Sequence, residues 1–548
     1  MKDPIKYLAH ATHSVLKSLD LPDVEPQFEK PKNPSHGDIA TNVAFVVGAI
    51  IGKPPPETAR LINEGYSLQL DTKEMARHTV AEPGFINFVL APEHLRDVGR
   101  SILEEGAAFG NGDELSGQRI LLEFVSANPS GPLNIVSARA AAVGDSLRRI
   151  LGARGARVDS EYYVNDAGNQ VRLLGESLRA RYETLLGYST EVPEEGYHGA
   201  YLIDMARAII EREGDKYHHQ APAEAAGDLV QIAIQFHVEQ HREILERFRV
   251  PYSRWFRESE LHSRGAPQAV LDRMDKAGAL FRQDGAHSVR TSSHGDSKDW
   301  VVITSAGQPT YFLPDIAYHV DKFHRGYGEL LNILGPDHHH FPSRMKAAMR
   351  ILGLPAEKLH VIILQQVNLL RDGVAVKMSK RAGEIVEMEE LVSEVGVDAT
   401  RYFFVLRRTT TPLDFDIELA KSQSEENPVY YVQYAHARIA SIFRKAQIST
   451  PDAAVDWGLL THVEELNLLR RLRELPQVTA ECAAVKDPHA LTTWLREVAT
   501  QFHRFYHHCR VLGEEKDLQR ARLALCRATQ IAIARGLDLL GVSAPEAM

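Results

Sequence analysis

The feature that most constrains the fold is a short apolar run followed by a turn-forming loop and a helix of small residues. Residues 119–124, with the sequence RILLEF, have the character of a strand buried in a parallel sheet. The loop at 126–132 is rich in Asn, Pro, Ser and Gly, and the predicted helix covers 138–151. Because the N-terminus of such a helix carries free N–H groups and a favourable dipole, this segment predicts a phosphate-binding unit.

Further strand candidates occur along the chain, at residues 158–163, 301–303, 330–334 and 359–364. Helical stretches alternate with these short apolar runs. The alternation predicts a multidomain α/β protein whose central domain is a doubly wound, Rossmann-type parallel sheet.

With 548 residues the chain is too long for one hydrophobic core, so about three domains are expected. Residues 1–112 are predicted to form an N-terminal α+β domain with an apolar helix at 39–51. We expect the sheet domain at 113–398, with a polar, His-rich helical insertion at about 186–290. Residues 399–548 are predicted to form an all-α helical bundle without strands.

The composition excludes several classes of protein. The formal net charge is -10 and 44% of the residues are hydrophobic, which is ordinary for a soluble globular chain. The first residues lack an apolar signal segment, and no apolar run of about 18 residues predicts a membrane span. The three cysteines, Cys482, Cys509 and Cys526, include no Cys-x-x-Cys pair. A cytoplasmic, reducing location with no membrane partner is therefore expected.

Two histidines four residues apart, His237 and His241, raise the question of a metal site. Their spacing occurs in zinc-binding helices, but Glu239 is not where the metalloprotease motif requires its glutamate. The sequence also supplies no evident third ligand, so no metal-ligating residue is predicted.

Residues 377–381, with the sequence KMSKR, place two lysines three residues apart around a small hydroxyl residue. Lysine is a compact charge on a flexible stem, so Lys377 and Lys380 are suited to follow a pyrophosphate as its charge develops. Taken alone, most Lys-x-x-Lys segments are solvated charged loops. The rest of the chain has to decide between these two interpretations.

A predicted helix after Asn427 and Pro428 presents Tyr431, Tyr434 and Arg438 on one face. Aromatic stripes on helices usually pack in a core. Two tyrosines beside an arginine also form a surface that stacks bases and binds phosphate. From composition alone the core interpretation is favoured.

Several motifs occur in a fixed order along the chain. They are EFVSANPSGPL at 123–133, YYVNDAGNQ at 162–170, TYFLPDIAYH at 310–319, GPDHH at 335–339, KMSKR at 377–381, YVQYAHAR at 431–438 and the ending GVSAPEAM at 541–548. Each motif is weak by itself, but together and in this order they are highly specific. With them the chain resembles the class I arginyl-tRNA synthetases of bacterial type over essentially its whole length.

The resemblance implies that ATP and L-arginine, with Mg²⁺, form arginyl-adenylate and pyrophosphate, and that the arginyl group then passes to the terminal ribose of an arginine-specific tRNA. Such chemistry needs positioning and charge neutralisation, so the implied site consists of donors and cations. The implied catalytic residues are Lys377, Lys380, Asn134 and Ser137. The implied ATP contacts are Gly335, Asp337, His338, Met378, Ser379, Pro129 and Gly131.

Recognition of arginine has its own physical requirement. A guanidinium is a planar cation with five donors, and a carboxylate can meet it with a bidentate pair. The family motif implies this role for Asp315, with Tyr311 four residues earlier as a further partner. The other implied arginine contacts are Gln365, Asn128, Ser126 and Glu123.

For tRNA, the resemblance assigns the C-terminal bundle to the anticodon, which reverses the core interpretation of the tyrosine helix. The implied tRNA contacts are Tyr431, Tyr434, Arg438 and Met548. The N-terminal domain is expected to contact the tRNA elbow, and the chain is expected to be a monomer.

The chain departs from the family at the start of the first helix. Class I synthetases usually carry His-x-Gly-His there, whereas this chain has Asn134-Ile135-Val136-Ser137. Asn134 and Ser137 can donate hydrogen bonds to phosphate but carry no charge. Val136 is bulkier than the usual Gly, so either adenine sits differently or neighbouring residues, such as the alanines at 140–142, are small enough to make room.

Two other functions stay open at this point. The altered first motif is compatible with a tRNA-binding paralogue that has lost amino-acid activation. A class I synthetase for another amino acid is a further alternative, against which Asp315 and the modest insertion argue.

Overall fold

The computed structural model describes residues 4–31, 33–376, 386–448 and 455–548. The lysine loop at 377–381 lies outside these ranges. The predictions for Lys377, Met378, Ser379 and Lys380 therefore concern residues that the structure does not describe.

The N-terminal unit is a four-stranded antiparallel sheet with helices packed on it. Its strands are β1 (Phe28–Glu29), β2 (Ile39–Thr41), β3 (Met75–Ala81) and β4 (Phe85–Leu90), and its helices are α1 (Pro4–Ser18), α2 (Val43–Ile51), α3 (Pro55–Gln69) and α4 (Pro92–Glu105). The strands are hydrogen-bonded in the order β1–β2–β4–β3. The helix predicted at 39–51 is wrong in its first four residues, because Ile39 pairs with Phe88 in this sheet and α2 begins only at Val43.

The central part of the chain contains eleven of the strands that the described residues form. They are β5 (Arg119–Glu123), β6 (Arg157–Val164), β7 (Arg254–Arg257), β8 (Leu280–Gln283), β9 (Ala286–Val289), β10 (Trp300–Ile303), β11 (Glu329–Leu334), β12 (Leu359–Ile363), β13 (Val367–Arg371), β14 (Val374–Ala375) and β15 (Leu413–Asp416). Five of them form a parallel sheet in the order β12–β11–β5–β6–β7. The order reverses direction between β5 and β11, which is the topological switch point of a doubly wound sheet. The predicted fold class is confirmed.

The helices of this region cover both faces of the sheet or extend from it. They are α5 (Ile135–Ala153), α6 (Asn169–Leu185), α7 (Tyr201–Glu213), α8 (Pro222–Arg247), α9 (Glu258–Ser263), α10 (Ala266–Lys276), α11 (Phe312–His324), α12 (Phe341–Ile351), α13 (Met388–Val395), α14 (Val397–Phe404) and α15 (Ile417–Lys421). Helix α5 approaches β5 so closely that a Cβ at Gly144 would lie 2.4 Å from the Phe124 ring. The small residues of α5 are therefore what let it lie against the strand.

The C-terminal unit is helical. Its helices are α16 (Pro428–Ala446), α17 (Val463–Leu472), α18 (Leu475–Val485), α19 (His489–His508) and α20 (Lys516–Leu539). No described helix of the chain combines the length and the apolarity needed to cross a bilayer.

Three strand predictions need correction. The strand predicted at 301–303 exists but pairs antiparallel with β9 in a separate sheet, β10–β9–β8, because a short apolar run does not specify its partner. Strands β7, β8 and β9 lie inside the range predicted as a helical insertion, and β7 forms the edge of the parallel sheet. Strand β15 lies in the range predicted to lack strands and pairs with β13. Each of these four missed strands is only four residues long, which gives periodicity little to reveal.

A buried ion pair connects these units. The side chains of Asp145 on α5 and Arg401 on α14 are both fully buried, with 2.6 Å between Oδ2 and Nη2. Arg401 also donates to the backbone oxygens of Phe248, after α8, and Leu540, after α20. Gly541 is required beside this guanidinium, since its φ is +66° and a Cβ there would lie 2.2 Å from Arg401 Nη2.

Asp145 is held by further cations on its own helix. Arg148 and Arg149 lie 2.7 and 2.8 Å from its carboxylate oxygens. Burial tends to raise the pKa of Asp145, but Arg401 and these two arginines outweigh it and hold the pKa below its usual value. The pair is therefore ionised, and it ties α5 to the ends of α8 and α20.

Replacing Arg401 with Met should strongly destabilise the protein, because it leaves Asp145 and two backbone carbonyls without their buried partner. Breaking a buried pair in this way costs about 3–5 kcal/mol of unfolding free energy, measurable by urea denaturation. Arg407→Met is the matched control, since Arg407 is exposed and should change stability by less than about 0.5 kcal/mol. Equal losses in both variants would contradict the role of the pair.

Candidate functional site

The candidate site lies at the carboxyl edge of the parallel sheet. Glu123 ends β5, Glu258 follows β7, Gly335 follows β11 and Gln365 follows β12 by two residues. Ligands of open α/β sheets bind outside the carboxyl ends of the strands at the switch point, and these residues surround that position. The predicted residues Glu123, Gly335 and Gln365 are thus brought to one edge.

Asp315, in the first turn of α11, carries the most perturbed carboxyl of this edge. Its side chain is partly buried, and no side chain among the described residues hydrogen-bonds its carboxylate. Burial raises the pKa of Asp315 to about 7; the charges of Glu123 and Glu258 add to the rise, while Arg344 opposes it. The Asp315 carboxyl can therefore accept hydrogen bonds from a cationic group of a ligand.

Glu123 is buried and already paired. Its Oε2 lies 2.5 Å from Lys322 Nζ, and its Oε1 accepts a hydrogen bond from Ser126 Oγ at 3.1 Å. Lys322 also donates to Asn332 Oδ1, and this asparagine contacts the ring of His319. The predicted contact Glu123 is therefore fixed in place by a buried network.

Two tyrosines lie near the same acids. Tyr311 is 56% exposed, and burial of the rest of the ring, with the nearby Tyr197 and Glu258, raises the pKa of its hydroxyl. Tyr163 is buried and its hydroxyl has no hydrogen-bond partner in the described chain. Burial, with the charges of Glu258 and Asp315, raises the pKa of Tyr163, so its hydroxyl stays protonated. We define Glu123, Glu258, Asp315, Tyr163 and Tyr311 as the acidic pocket.

The loop after β5 has an unusual backbone. Val125 and Ser126 adopt positive φ angles of 68° and 42°. A β-branched residue rarely takes this conformation, and such strain persists where surrounding contacts enforce it. Ser126 Oγ supplies one such contact by accepting from Tyr163 N at 3.1 Å, and Asn128 Nδ2 donates to Gln170 Oε1 at 2.8 Å. The predicted contacts Ser126 and Asn128 therefore belong to a constrained loop.

Helix α8 holds this loop from the other side. The Tyr162 hydroxyl accepts from Ala127 N at 3.1 Å and lies 2.9 Å from His241 Nδ1. Burial lowers the pKa of His241, so its neutral ring donates from Nε2 to the Gly131 carbonyl at 2.8 Å and accepts at Nδ1. The buried His241 side chain therefore supports the loop after β5.

Helix α7 adds a third contact. The Tyr201 hydroxyl donates to the Ser130 carbonyl at 2.6 Å. His237 packs 5.4 Å from the Tyr201 ring, and burial lowers the pKa of His237 to about 4. The insertion thus positions the segment that carries the predicted residues Pro129 and Gly131.

Asn134 begins α5 as its N-cap. Its Oδ1 accepts from Val136 N at 3.0 Å and from Ser137 N at 3.1 Å, which leaves its amide N–H₂ as the group able to donate to a ligand. Val136 Cγ1 would lie 4.0 Å from a Cβ at Gly335. The small residue facing Val136 is therefore Gly335, whereas the alanines at 140–142 are buried in the core.

The chain returns to this point after the lysine loop. Glu387 forms an antiparallel bridge with Asn134, and Met388 N donates to the Leu133 carbonyl at 2.7 Å. The residues that follow the range 377–385 are therefore held at the start of α5.

The remaining predicted nucleotide contacts lie on a short turn after β11. Asp337 and His338 are exposed, and burial of part of the ring lowers the pKa of His338. Gln365 is placed by its backbone, whose carbonyl accepts from Arg139 Nη1 at 2.7 Å and whose N–H donates to Thr409.

The predicted tRNA contacts lie far along the chain, on α16 and at the C-terminal end. Tyr434, Arg438 and Met548 line one cleft of about 320 Å³ together with Tyr506 of α19. The Arg438 guanidinium packs over the Tyr434 and Tyr506 rings at 5.3 and 4.9 Å. Tyr431 does not line this cleft; it packs on the core with its ring 5.0 Å from His503.

Sequence reasoning missed several residues of the site, among them Tyr163 of the acidic pocket, which lies in a family motif but was given no role. Glu258 follows the missed strand β7, so finding β7 would have found it. Lys322 lies seven residues after Asp315 on the same helix, a spacing that places both on one face. Arg344 and His241 lie on helices α12 and α8, and no local pattern connects them to the sheet edge.

Three family descriptions match the chain in order. "Arginyl tRNA synthetase N terminal domain" matches residues 5–90, "tRNA synthetases class I (R), catalytic domain" matches 100–404 and "DALR anticodon binding domain" matches 432–548.

Similar proteins span the whole chain. It is 45% identical to an arginine–tRNA ligase of Carboxydothermus hydrogenoformans, over 95% of this chain and 94% of that protein. It is 43% identical to an arginine–tRNA ligase of Listeria monocytogenes, over 100% of this chain and 99% of that protein. The solved arginyl-tRNA synthetase of Thermus thermophilus shares the fold, with a TM-score of 0.77 at 23% identity over 99% of this chain and 100% of that one.

The raised pKa of Asp315 predicts a pH dependence of stability. In the unfolded chain this carboxyl ionises near its ordinary value of 3.8, whereas in the folded protein it keeps its proton up to about pH 7. The folded state binds the extra proton, so the free energy of unfolding should fall as pH rises from about 4 to about 7.

Urea denaturation across this pH range measures the effect. Asp315→Asn should flatten the dependence, because an amide does not ionise. Asp275→Asn, at an exposed position on α10, should leave it unchanged. An Asp315→Asn curve parallel to that of the unmodified protein would refute the assignment.

Proposed function

The chain belongs to the class I arginyl-tRNA synthetase family, and from this premise we infer that it is an arginine–tRNA ligase. It activates L-arginine with ATP and transfers the arginyl group to tRNA. The observation that carries the assignment of arginine to the site is the acidic pocket, whose central carboxyl, Asp315, has no cation hydrogen-bonded to it within the described chain.

We propose that the acidic pocket binds the guanidinium of arginine. Asp315 accepts a bidentate pair of hydrogen bonds, and the Tyr311 hydroxyl, which is near Glu258, serves as a further acceptor. Glu258, which the sequence did not indicate, adds negative charge to the same pocket. A neutral analogue would leave these buried groups unpaired, so discrimination against it is strong.

The amino-acid end of arginine is assigned to the constrained loop. Ser126, Asn128 and Glu123 lie there, and Glu123 Oε2 lies 2.5 Å from Lys322 Nζ. We propose that Asn128 contacts the amino-acid end and that Ser126 and Glu123 fix the loop around it. Gln365 closes the pocket from the end of β12.

We assign ATP to the start of α5 and to the turn after β11. The Asn134 N–H₂ and Ser137 donate to phosphate at the positive end of the α5 dipole. Gly335 leaves room beside Val136 for the nucleoside, and Asp337 and His338 flank it. The other proposed ATP contacts are Pro129, Gly131, Met378 and Ser379.

In the activation step a carboxylate oxygen of arginine attacks the α-phosphorus of ATP. The bond from this phosphorus to the bridging oxygen breaks, and pyrophosphate leaves with the electron pair. We propose that Lys377 and Lys380 neutralise the pyrophosphate, since Asn134 and Ser137 bring no charge. In the second step a hydroxyl of the terminal ribose of tRNA attacks the arginyl carbonyl carbon, and AMP leaves.

Mg²⁺ is part of this proposal as a companion of ATP. Among the described residues no group of three or more His, Cys, Asp or Glu side chains converges on one point. The ion would therefore be held by phosphate oxygens and water rather than by a protein cage, as is usual for Mg²⁺ with nucleotides. When bound, it supplies charge neutralisation.

We further propose the division into domains at 1–112, 113–398 and 399–548, with the tRNA elbow on the first and the anticodon on the last. Tyr434, Arg438 and Met548 form the anticodon surface, with Tyr431 supporting it through His503. A cytoplasmic location and a monomeric state complete the proposal.

One assay tests the function as a whole. Arginine-dependent exchange between ATP and pyrophosphate should occur when arginine tRNA is present, and the tRNA should become charged with arginine. A protein that binds arginine tRNA but supports neither exchange nor charging would instead be a paralogue without activation chemistry.

The pocket predicts proton release on arginine binding. A bound guanidinium favours the carboxylate, so it lowers the pKa of Asp315 from its value of about 7. At pH 6 binding should therefore release close to one proton, and above about pH 8 almost none. Calorimetric titration in two buffers of different ionisation enthalpy measures this release.

Asp315→Asn should abolish the proton release and weaken arginine binding far more than ATP binding. Asp275→Asn is the control and should behave as the unmodified protein does. Equal losses for arginine and ATP would show that Asp315 does not select the amino acid.

The tyrosine surface gives a separate prediction. Tyr434→Ala removes a stacking platform worth about 1–3 kcal/mol per base, so tRNA affinity should drop while arginyl-adenylate formation at saturating tRNA persists. Tyr188→Ala removes an exposed tyrosine on the loop after α6 and serves as the control in the same filter-binding assay. Unfolding of the helical unit in Tyr434→Ala would restore the interpretation of this residue as core.

A further inference from the structure

A second cleft lies between the N-terminal sheet and the helices α17 and α19. Its volume is about 410 Å³, and it is distinct from the acidic pocket and from the cleft around Tyr434. The cations that line it are Lys30, Arg77, Arg470, Arg471, Arg473 and Arg504. Two acids, Asp38 and Glu474, share the lining. In a chain with a net charge of -10, this is a local concentration of positive charge.

Two of these cations, Arg470 and Lys30, form ion pairs that join the two units, and a third, Arg471, pairs within the helical unit. Arg470 Nε lies 2.9 Å from Asp38 Oδ1, and Lys30 Nζ lies 3.0 Å from Glu474 Oε1. Arg471 Nη1 lies 3.1 Å from the same Glu474 oxygen. These pairs cross or brace the domain boundary, and they account for both acids of the lining.

Of the three other arginines in the lining, Arg473 has a partner of its own, which leaves Arg77 and Arg504. Arg77 projects from β3 and Arg504 from α19, so they come from opposite walls of the cleft. Both are exposed, and neither has a hydrogen bond or ion pair with any residue that the structure describes. Two guanidiniums that line one cleft from different domains, in a lining that also contains the neutral Ser35 and Asn467, suit a phosphate group.

The position of Arg504 connects the cleft to the tyrosine surface. His503, the preceding residue of α19, contacts the rings of Tyr431 and Tyr434 at 5.0 and 5.9 Å. Tyr506, two residues after Arg504, lies under the Arg438 guanidinium. The two clefts therefore lie on neighbouring faces of α19. A long polyanion that binds at one face can extend to the other.

We propose that this cleft binds the sugar–phosphate backbone of tRNA outside the anticodon, with Arg77 and Arg504 as the phosphate contacts. The proposal rests on the proposed function, since it takes tRNA as the partner. It adds a contact that bridges the N-terminal and helical units and reads no base. A free phosphate compound would share the same chemistry, and the experiment separates the two sources.

The test measures tRNA affinity of the full chain against salt concentration. Arg77→Ala and Arg504→Ala should each weaken binding by about fivefold and lower the slope of log affinity against log salt by about one unit. The double variant should lose both contributions. The same loss is expected for tRNAs with altered anticodon bases, and it should add to the loss from Tyr434→Ala.

Matched controls keep the result interpretable. Lys276→Ala with Arg282→Ala removes two exposed cations from the lobe of α10 and β8, outside the cleft, and should leave affinity and slope unchanged. Because Arg77 and Arg504 have no described partners, their removal should leave the urea midpoint unchanged. ATP–pyrophosphate exchange at saturating tRNA should also persist in these variants. Absence of exchange in the unmodified protein would refute the proposed function and not the assignment of this cleft.

Three outcomes would overturn the proposal. One is unchanged tRNA affinity and slope in the double variant while exchange and charging are intact. The second is an equal loss in the control pair, which would make the effect a general one of charge. The third is binding of inorganic phosphate or pyrophosphate that the double variant abolishes without any change for tRNA.

Discussion

The fully buried ion pair between Asp145 and Arg401 is the constraint on which the arrangement of the whole molecule depends. Asp145 lies in the middle of the helix whose first residues form the proposed phosphate site, and Arg401 reaches backbone carbonyls after α8 and α20. A charge buried this deeply is tolerated only when all its partners are in place. The pair therefore fixes the catalytic sheet, the insertion and the helical unit relative to one another.

The insertion has a similar role close to the site. His241 and Tyr201 reach two residues of the loop between β5 and α5, Gly131 and Ser130, and each contact goes to a backbone carbonyl. Such contacts depend on the position of the loop and not on its side chains. The insertion therefore fixes the backbone of the loop segment that follows the positive-φ residues Val125 and Ser126.

Much of the fold could be predicted, because long elements leave a periodic signal. The strands β5, β6, β11 and β12 and the helix α5 were all visible as apolar or small-residue runs. The failures were short or context-dependent. Residues 39–41 look like the start of a helix, but their pairing with β4 decides otherwise, and β7 is a strand only because β6 offers it an edge. Tertiary pairing of this kind leaves no local pattern.

The site was predicted through motifs, and the motifs indicated the residues proposed to line the site better than those that act on their charge. Asp315 and Glu123 were indicated, whereas Lys322 and Glu258 were not. The difference is physical: Lys322 and Glu258 act on the charge state of their neighbours across the sheet edge, which only the folded geometry reveals. Val136 shows the same limit, since the glycine that makes room for it lies about two hundred residues further along the chain, at Gly335.

The contacts of Arg401 also bear on how the protein is made. Asp145 and Arg401 are translated well before Leu540 and Gly541, whose backbone completes their burial. In a chain that ends before residue 540, Arg401 lacks the carbonyl that accepts from its Nε, so we expect α5 and the residues at its start to pack less rigidly than in the full chain.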